Sequence, residues 1–186
     1  VPLAEAKGHK CMVGFWGTDA VSSFLPQNAE IDAIVGQNVL AHVPSPVAFL
    51  KACRDAMGPR TRLYLQTSQC QMHQEGQFDT AYHEHISFFT GHSFRKAAEL
   101  SGLEILDFEL TPIHGTSCLV TFQRGDAPAP ATPPRGIQPR IDQELTDLIH
   151  EDIFYEKFNT RAQTIRQWLD NQLTGLFQSG YQLGLY

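Results

Sequence analysis

The fold is decided by residues 31–67, IDAIVGQNVLAHVPSPVAFLKACRDAMGPRTRLYLQT. The first six of them, IDAIVG, are nearly continuous in apolar character and include the β-branched residues Ile31, Ile34 and Val35, which is typical of a strand buried on both faces of a parallel sheet. Ser45 and Pro46 suit the start of a helix, and Gly58 marks its end. A second apolar strand follows. The order of strand, helix and strand predicts a βαβ unit.

Further elements are predicted on both sides of this unit. A short strand is predicted at 10–16. Downstream, Ser93 caps a predicted helix that ends at 101–102. Two strands, 103–110 and 117–122, are joined by a tight turn, which predicts an antiparallel hairpin on the parallel sheet. The predicted fold class is therefore α/β, with an antiparallel hairpin at the edge of the sheet.

A proline-rich stretch, 126–139, predicts a semi-rigid linker between residues 1–125 and 140–186. Beyond it, apolar residues at helical spacing predict a long helical segment that breaks near Asn159-Thr160. The apolar stripe of this segment needs a partner surface. We expect residues 140–178 to pack on the sheet, on another domain or on a second subunit.

The composition of the 186 residues describes one sizeable core, with 42% hydrophobic and 18% charged residues. A formal net charge of −6 and the lack of a basic cluster argue against nucleic-acid binding. No apolar run approaches the roughly 20 residues that span a bilayer. The four cysteines, Cys11, Cys53, Cys70 and Cys118, lie far apart. They indicate reduced thiols rather than disulfides, and favour a cytoplasmic protein.

Groups that carry protons are concentrated in residues 78–90, FDTAYHEHISFFT. Tyr82, Glu84 and His85 lie there within four positions, together with a second histidine, and aromatic residues flank them. Histidines, carboxylates and phenols are the groups that move protons in enzymes, with histidine the best suited near neutral pH. The density of these residues predicts a site loop, and the alternative is a solvated polar turn.

A second group of polar residues, Gln37, Asn38 and His42, directly follows the first strand of the βαβ unit. Such positions lie at the carboxyl edge of the sheet, where open α/β sheets bind ligands. The loop 68–90 leaves the same edge after the next strand, 62–67. We therefore expect the two groups to share one crevice.

Three blocks of sequence occur in an order that resembles a known family: NVLAHVP at 38–44, FDTAYHEH at 78–85, and His114-Gly115. They resemble the class I S-adenosylmethionine (SAM)-dependent methyltransferases that C-methylate nucleotide-linked deoxy-keto-sugars. The resemblance implies a Rossmann-like sheet, SAM as cofactor, a nucleotide-sugar substrate and a role in deoxysugar biosynthesis. It covers nearly the whole chain.

Some features of that family have no counterpart here. They are the Gly-rich loop that binds the methionine part of SAM, the N-terminal zinc module and most of the C-terminal domain. The chain is therefore expected to represent an internal part of such a protein, with residues 140–186 leading into the C-terminal domain. Thr116 stands where the family tends to have a second glycine.

The resemblance implies four catalytic residues. His85 would be the base that removes a proton next to the ketone, and Glu84 would orient it or accept a sugar hydroxyl. Tyr82 would donate to the keto oxygen or position the sugar, and His42 would bond the enolate. His83 is expected to face away.

The remaining implied residues bind ligands. Asn38 and His114 would contact the substrate, and Gln37 and Asn38 would contact the cofactor. The methyl donor is a sulfonium cation, so the reaction needs positioning and exclusion of water rather than a metal.

Two other functions fit the same residues. His83 and His85, with Glu84 and a remote His92 or His114, are residue types that ligate zinc or iron, which would make the protein a metal-dependent enzyme. A degenerate, non-catalytic methyltransferase module would account for the missing Gly-rich loop.

Overall fold

The computed structural model describes residues 1–18, 23–25, 31–68, 71–113, 115–131, 133–182 and 184. In chain order its helices and strands are α1 (Pro2–Glu5), β1 (Ala33–Gln37), α2 (Pro46–Ala56), β2 (Arg62–Ser68), α3 (Gln71–Gln74), α4 (Gly91–Ser101), β3 (Leu103–Thr111), β4 (Ser117–Arg124), α5 (Gln138–Thr146) and α6 (Asp152–Gln178). Two 3-10 turns, Leu40–His42 and Phe78–Thr80, lie in the loops after β1 and α3.

The four strands form one mixed sheet in the order β1-β2-β4-β3. Strand β1 runs parallel to β2, with Val35 opposite Tyr64. Strand β4 runs antiparallel to both β2 and β3, so that Val120 lies opposite Leu65 on one side and Phe108 on the other. The predicted α/β class, the βαβ unit and the antiparallel hairpin are confirmed.

Two predictions about strands are wrong. Strand β1 is not buried on both faces, since Val35 is 66% exposed. Strand β1 is an edge strand of this sheet, since its only neighbour within the described residues is β2. The predicted strand at 10–16 is absent, and Val13 and Phe15 are exposed. Apolar composition alone does not supply the backbone partner that a strand needs.

The helix starts follow local capping chemistry. Helix α2 begins where predicted, and the Ser45 side chain accepts a hydrogen bond from the Ala48 N–H. Helix α4 begins earlier than predicted, because Thr90 rather than Ser93 is its N-cap. The two residues form a reciprocal capping box, in which each side chain accepts from the other's backbone N–H. Gly102, at φ +69°, ends the helix as predicted.

The core lies between the sheet and helices α2 and α4. Its fully buried side chains include Leu50, Leu63, Phe94 and Phe122, each of which stabilises the fold by about 1.5–3 kcal/mol.

Two of the predicted reduced thiols lie in this core. Cys53 and Cys118 are free and buried. Burial raises the pKa of the Cys53 thiol to about 12 and also raises the pKa of Cys118. Cys11 is free and half-buried, and Cys70 lies outside the described residues.

The C-terminal segment is two helices, as predicted, but the break lies elsewhere. Residues 147–151 separate α5 from α6, and Leu148 adopts φ +59° there while Ile149 is buried. Asn159 and Thr160 lie inside α6. The Thr160 hydroxyl bonds the carbonyl of Glu156 within the same helix, so this polar residue does not interrupt it.

Helix α5 is joined to the core by a buried ion pair. Glu144 is fully buried and bonds Arg140 Nε at 2.9 Å. Its carboxylate also accepts from the N–H groups of Gly91 and His92, the first two residues of α4. A Cβ on Gly91 would lie 3.0 Å from Arg140 Cγ, so any larger residue there would press on the side chains of α5. Helix α6, by contrast, has no buried residue.

Candidate active site

A cavity of about 320 Å³ lies at the carboxyl edge of the sheet. Asn38 directly follows β1 and Ser68 ends β2, so the cavity lies where two parallel strands end, as is usual for ligand sites in α/β sheets. Its lining residues are Asn38, His42, Ser68, Met72, Asp79, Thr80, Tyr82 and His85. Four of the predicted site residues are therefore brought together, although more than 40 positions separate Asn38 from Tyr82.

Asn38 turns the chain from β1 into the cavity wall. Its φ of +51° lies in the left-handed region, which asparagine tolerates better than most residues. Its N–H bonds the Gln66 carbonyl across the end of the sheet. The turn that follows buries Leu40 and Ala41 in the protein and leaves His42 at the cavity.

The two loops of the site are fastened to each other. The Ala41 carbonyl accepts from the N–H of Ile86 at 2.8 Å and from that of Ser87 at 3.1 Å. His42 Nδ1 lies 2.8 Å from the Glu84 carbonyl oxygen. These bonds hold the histidine after β1 against the loop that carries Tyr82 and His85.

The hydrogen bonds of His85 define its tautomer. Its Nδ1 lies 2.7 Å from the Thr80 carbonyl oxygen, which can only accept, so Nδ1 carries a proton. In the neutral ring Nε2 then has the free lone pair, and the Tyr82 hydroxyl at 3.1 Å donates to it. His42 is the same tautomer. Its Nδ1 donates to the Glu84 carbonyl, and its Nε2 is left as the acceptor.

Aromatic packing fixes the positions of these rings. The ring centroids of His42 and His85 lie 4.9 Å apart, and those of Tyr82 and His85 lie 4.2 Å apart. Phe88 meets the His85 ring edge-on at 5.7 Å. Among the described residues that line the cavity, Asp79 is the one carboxylate, and none is a lysine or arginine. The cavity therefore favours a ligand that is neutral or positively charged at this point.

The other predicted site residues lie differently. The Glu84 side chain is exposed and does not line the cavity, and the expected pairing of its carboxylate with His85 is replaced by the Thr80 carbonyl. Gln37 is exposed at the end of β1 and is not a lining residue. His83 is exposed and also stays outside the lining. His114 lies outside the described residues.

Four lining residues were not predicted: Ser68, Met72, Asp79 and Thr80. Thr80 acts on His85 through its backbone carbonyl, which every residue has, so no side-chain pattern indicates it. Ser68 is signalled only by its place at the end of a parallel strand. Asp79 lies in the predicted site loop, 78–90, but no sequence pattern distinguishes it from the other polar residues of that loop.

The described residues contain no group of three or more His, Cys, Asp or Glu side chains able to hold a metal ion. In the same part of the chain, no helix is both long and apolar enough to cross a membrane.

A mixed sheet with a polar cavity at the ends of its parallel strands is typical of α/β enzymes that bind small molecules. The chain belongs to the methyltransferase domain family, whose model matches residues 5–107, more than half of its length.

One curated relative agrees with this family. The chain is 24% identical over 158 residues to C-methyltransferase NovU of Streptomyces niveus, a match that covers 82% of this chain and 36% of that protein. It thus spans little more than a third of the length of this curated relative. Solved structures that it matches include the mitomycin 7-O-methyltransferase MmcR (TM-score 0.48, 16% identity, 66% of this chain and 37% of that one) and TnmH (TM-score 0.42, 22% identity, 60% and 33%).

Proposed function

We propose that this chain carries the substrate-activating part of a SAM-dependent C-methyltransferase that acts on a nucleotide-linked keto-deoxysugar. Family membership and the similarity to a C-methyltransferase support the reaction class. One observation carries the mechanism: a His85 imidazole with its proton held on Nδ1 by Thr80 and its Nε2 lone pair directed at the Tyr82 hydroxyl. The free buried thiols of Cys53 and Cys118 are typical of a reducing compartment, and we place the enzyme in the cytoplasm.

The lining of the cavity suits a cationic cofactor. Asp79 supplies a negative charge, and in the described part of the lining no lysine or arginine opposes a sulfonium. Asn38, in its left-handed turn at the end of β1, is the residue best placed to bond the polar end of SAM. Gln37, one residue earlier, is proposed to contact the cofactor beside Asn38. When bound, SAM supplies the methyl group as an electrophile.

His85 acts as the base in this scheme. Its Nε2 is covered by the Tyr82 hydroxyl, which would exchange this acceptor for the carbonyl oxygen of a keto-sugar. The exchange frees the Nε2 lone pair next to the acidic C–H of the same substrate. His85 then takes the proton of that carbon, and the Tyr82 hydroxyl stabilises the negative charge that develops on the oxygen.

His42 has the second lone pair in the cavity. With Nδ1 held by the Glu84 carbonyl, its Nε2 is available to bond a hydroxyl of the sugar, and once protonated it would bond the enolate oxygen. The Glu84 carboxylate is exposed beside the cavity, so we assign it to a sugar hydroxyl rather than to His85. His114, which has no described position, remains a proposed substrate residue.

The test compares two histidines of one loop. His85→Gln should lower two rates by about 100-fold or more, since both need the base. They are the rate of methyl transfer and the rate at which the substrate α-hydrogen exchanges with D2O. His83→Gln is the matched control, because His83 is exposed and lies outside the cavity lining. It should retain both activities. The exchange is followed by NMR and the transfer by mass spectrometry.

Two results would contradict the proposal. Undiminished hydrogen exchange in His85→Gln would remove His85 as the base. The absence of any exchange or transfer in the wild-type protein, supplied with SAM and a nucleotide-linked keto-sugar, would favour a non-catalytic module.

A further inference from the structure

The turn between β3 and β4 is hydrogen-bonded to the segment that follows α3. The Thr116 hydroxyl donates to Glu75 Oε2 at 2.7 Å, and Gln77 donates through its side-chain Nε2 to the same oxygen, also at 2.7 Å. Thr116 and Glu75 are 41 positions apart in the chain, so the bond between them is a tertiary contact. We call these three residues the Glu75 bridge.

Close packing holds Gln77 in this bridge. Gly115 adopts a φ of +81°, in the left-handed region, and a Cβ there would overlap the side-chain amide of Gln77. The absence of a side chain at Gly115 therefore leaves the space that the amide occupies. The Gln77 N–H also donates to the Met72 carbonyl at 2.8 Å. Gln77 is thus confined by the turn, by Glu75 and by α3.

Gln77 in turn positions Thr80. The Gln77 carbonyl accepts from the Thr80 N–H at 3.2 Å and from the Thr80 hydroxyl at 2.8 Å. The Thr80 carbonyl then accepts from the Tyr82 N–H at 3.1 Å and from His85 Nδ1 at 2.7 Å. A carbonyl oxygen has two lone pairs, and here each of them holds one residue of the catalytic cavity. A displacement of Gln77 would therefore reach both residues.

The bond to Thr80 decides whether His85 can act as a base. A neutral imidazole carries its proton on one of two nitrogens, and the hydrogen bonds of the ring set which one. With the proton on Nδ1, the lone pair of Nε2 faces the Tyr82 hydroxyl in the cavity. With the proton on Nε2, the remaining lone pair is on Nδ1, which faces a carbonyl oxygen and not the substrate.

We propose that Thr116 and Glu75 are positioning residues that keep His85 in its Nδ1–H tautomer, acting through Gln77 and Thr80. The catalytic consequence rests on the proposed function, whereas the tautomer is a property of the free protein. Neither Thr116 nor Glu75 is among the described residues that line the cavity. Their loss should therefore lower kcat, through the fraction of molecules with a usable base, and leave KM nearly unchanged.

The test reads the tautomer of His85 by nitrogen-15 NMR of the histidine rings, at alkaline pH where imidazoles are neutral. The His85 signals are assigned by their loss in His85→Gln. Thr116→Val removes the hydroxyl but keeps the branched shape. It should raise the ratio of the Nε2–H to the Nδ1–H form by about five-fold, the weight of one hydrogen bond. Glu75→Ala should raise this ratio at least as far, because it removes the acceptor of both bonds.

Two matched variants complete the comparison. Thr116→Ser keeps the hydroxyl and should restore the wild-type ratio. Glu99→Ala removes an exposed carboxylate from α4 and should leave the ratio unchanged. In methyl transfer, kcat of every variant should follow the fraction of His85 in the Nδ1–H form, with KM within about two-fold of the wild type, because ground-state binding is untouched.

Several results would overturn the inference. They are an unchanged tautomer ratio in Thr116→Val and Glu75→Ala, an equal change in Thr116→Ser and Thr116→Val, or a wild-type His85 protonated mainly on Nε2. Circular dichroism verifies that the variants are folded, and Glu75→Ala, at an exposed position, provides the test if Thr116→Val does not fold.

The NMR measurement needs neither substrate nor SAM. A tautomer shift in a protein without methyl transfer would therefore refute the proposed function alone. Conversely, methyl transfer that depends on His85 but not on Thr116 or Glu75 would refute the positioning role and leave the catalysis standing.

Discussion

The hydroxyl of Tyr82 decides whether the lone pair of His85 Nε2 is open to the cavity. In the structure the hydroxyl covers that nitrogen at 3.1 Å, and Tyr82 is 45% exposed. The Tyr82 hydroxyl can turn its O–H toward a ligand without movement of the packed ring, whereas the imidazole is held by Thr80 and meets Phe88 edge-on. The partner that can exchange its hydrogen bond is therefore the tyrosine hydroxyl.

Tyr82→Phe should lower kcat by about 100-fold, because the developing charge on the substrate oxygen loses its donor. KM should change much less, since the phenylalanine ring retains the packing on His85. Steady-state kinetics of methyl transfer measure both constants. Tyr181→Phe, an exposed tyrosine near the C-terminus, is the control and should match the wild type. A variant with unchanged kcat and a strongly raised KM would instead make Tyr82 a binding residue.

Much of the site could be predicted at this scale. Tyr82, His85, His42 and Asn38 are signalled by their chemistry and by their positions after strands. Their hydrogen-bond partners could not be predicted, because Thr80 and Glu84 act through backbone carbonyls. Carbonyl groups are common to all residues, and only the path of the loop decides which of them meets a ring.

Helix α5 depends on one buried carboxylate. Glu144 neutralises Arg140 and also accepts from the first N–H groups of α4, where the helix dipole favours negative charge. Arg140 in turn reaches Gln71 at 2.8 Å, so the pair joins α5 to α3 and α4.

Glu144→Gln should destabilise the protein by about 3 kcal/mol, because it removes the carboxylate charge that is buried against Arg140 and against the first N–H groups of α4. Urea unfolding followed by circular dichroism measures the loss. Asp142→Asn removes an exposed carboxylate from the same helix and should cost less than about 1 kcal/mol. Equal stability of the two variants would show that the buried pair contributes nothing to the attachment of α5.

Helix ends were predictable where a capping residue stands alone, as Ser45 does. At α4, two hydroxyl residues three positions apart are both good caps, and the choice of Thr90 depends on Ser93 bonding back to it. The break between α5 and α6 was misplaced because helical periodicity continues on either side of it. Helix α5 ends at the turn at Leu148, which is followed by the buried Ile149. Both features depend on the tertiary fold rather than on local sequence.

At the scale of the whole molecule, the described residues form a sheet with its covering helices and one long, exposed helix. No residue of α6 is buried, and its apolar side chains, such as Ile165, Trp168 and Leu169, are exposed. The free energy of unfolding should therefore depend little on α6, since apolar burial supplies most of it.

Removal of residues 152–186 should change the free energy of unfolding by about 1 kcal/mol or less, while the helical signal in circular dichroism falls. Removal of residues 138–186 is the matched comparison. It also deletes Ile141, Glu144 and Ile149, and should cost about 5 kcal/mol or more. Urea denaturation of both truncated chains measures the difference. Collapse of the shorter deletion to an unfolded state would mean that α6 stabilises the sheet through contacts other than burial.

The α/β class, the βαβ unit and the hairpin could be predicted because strand and helix periods differ and turn residues separate them. The place of β1 in the sheet could not. Its apolar residues indicate a strand with neighbours on both sides, yet it has β2 alone within the described residues. The number of neighbours of a strand is a property of the assembled sheet.

The bonds between the two site loops run from backbone to backbone, or from a ring to a backbone carbonyl. The Ala41 carbonyl holds the N–H groups of Ile86 and Ser87, and the Glu84 carbonyl holds His42. Such bonds survive exchange of the side chains around them. Ser68 and Asp79 can therefore be exchanged, and the lining of the cavity altered, while both imidazoles keep their alignment. The chemistry of the cavity wall is free to diverge on an inherited backbone frame.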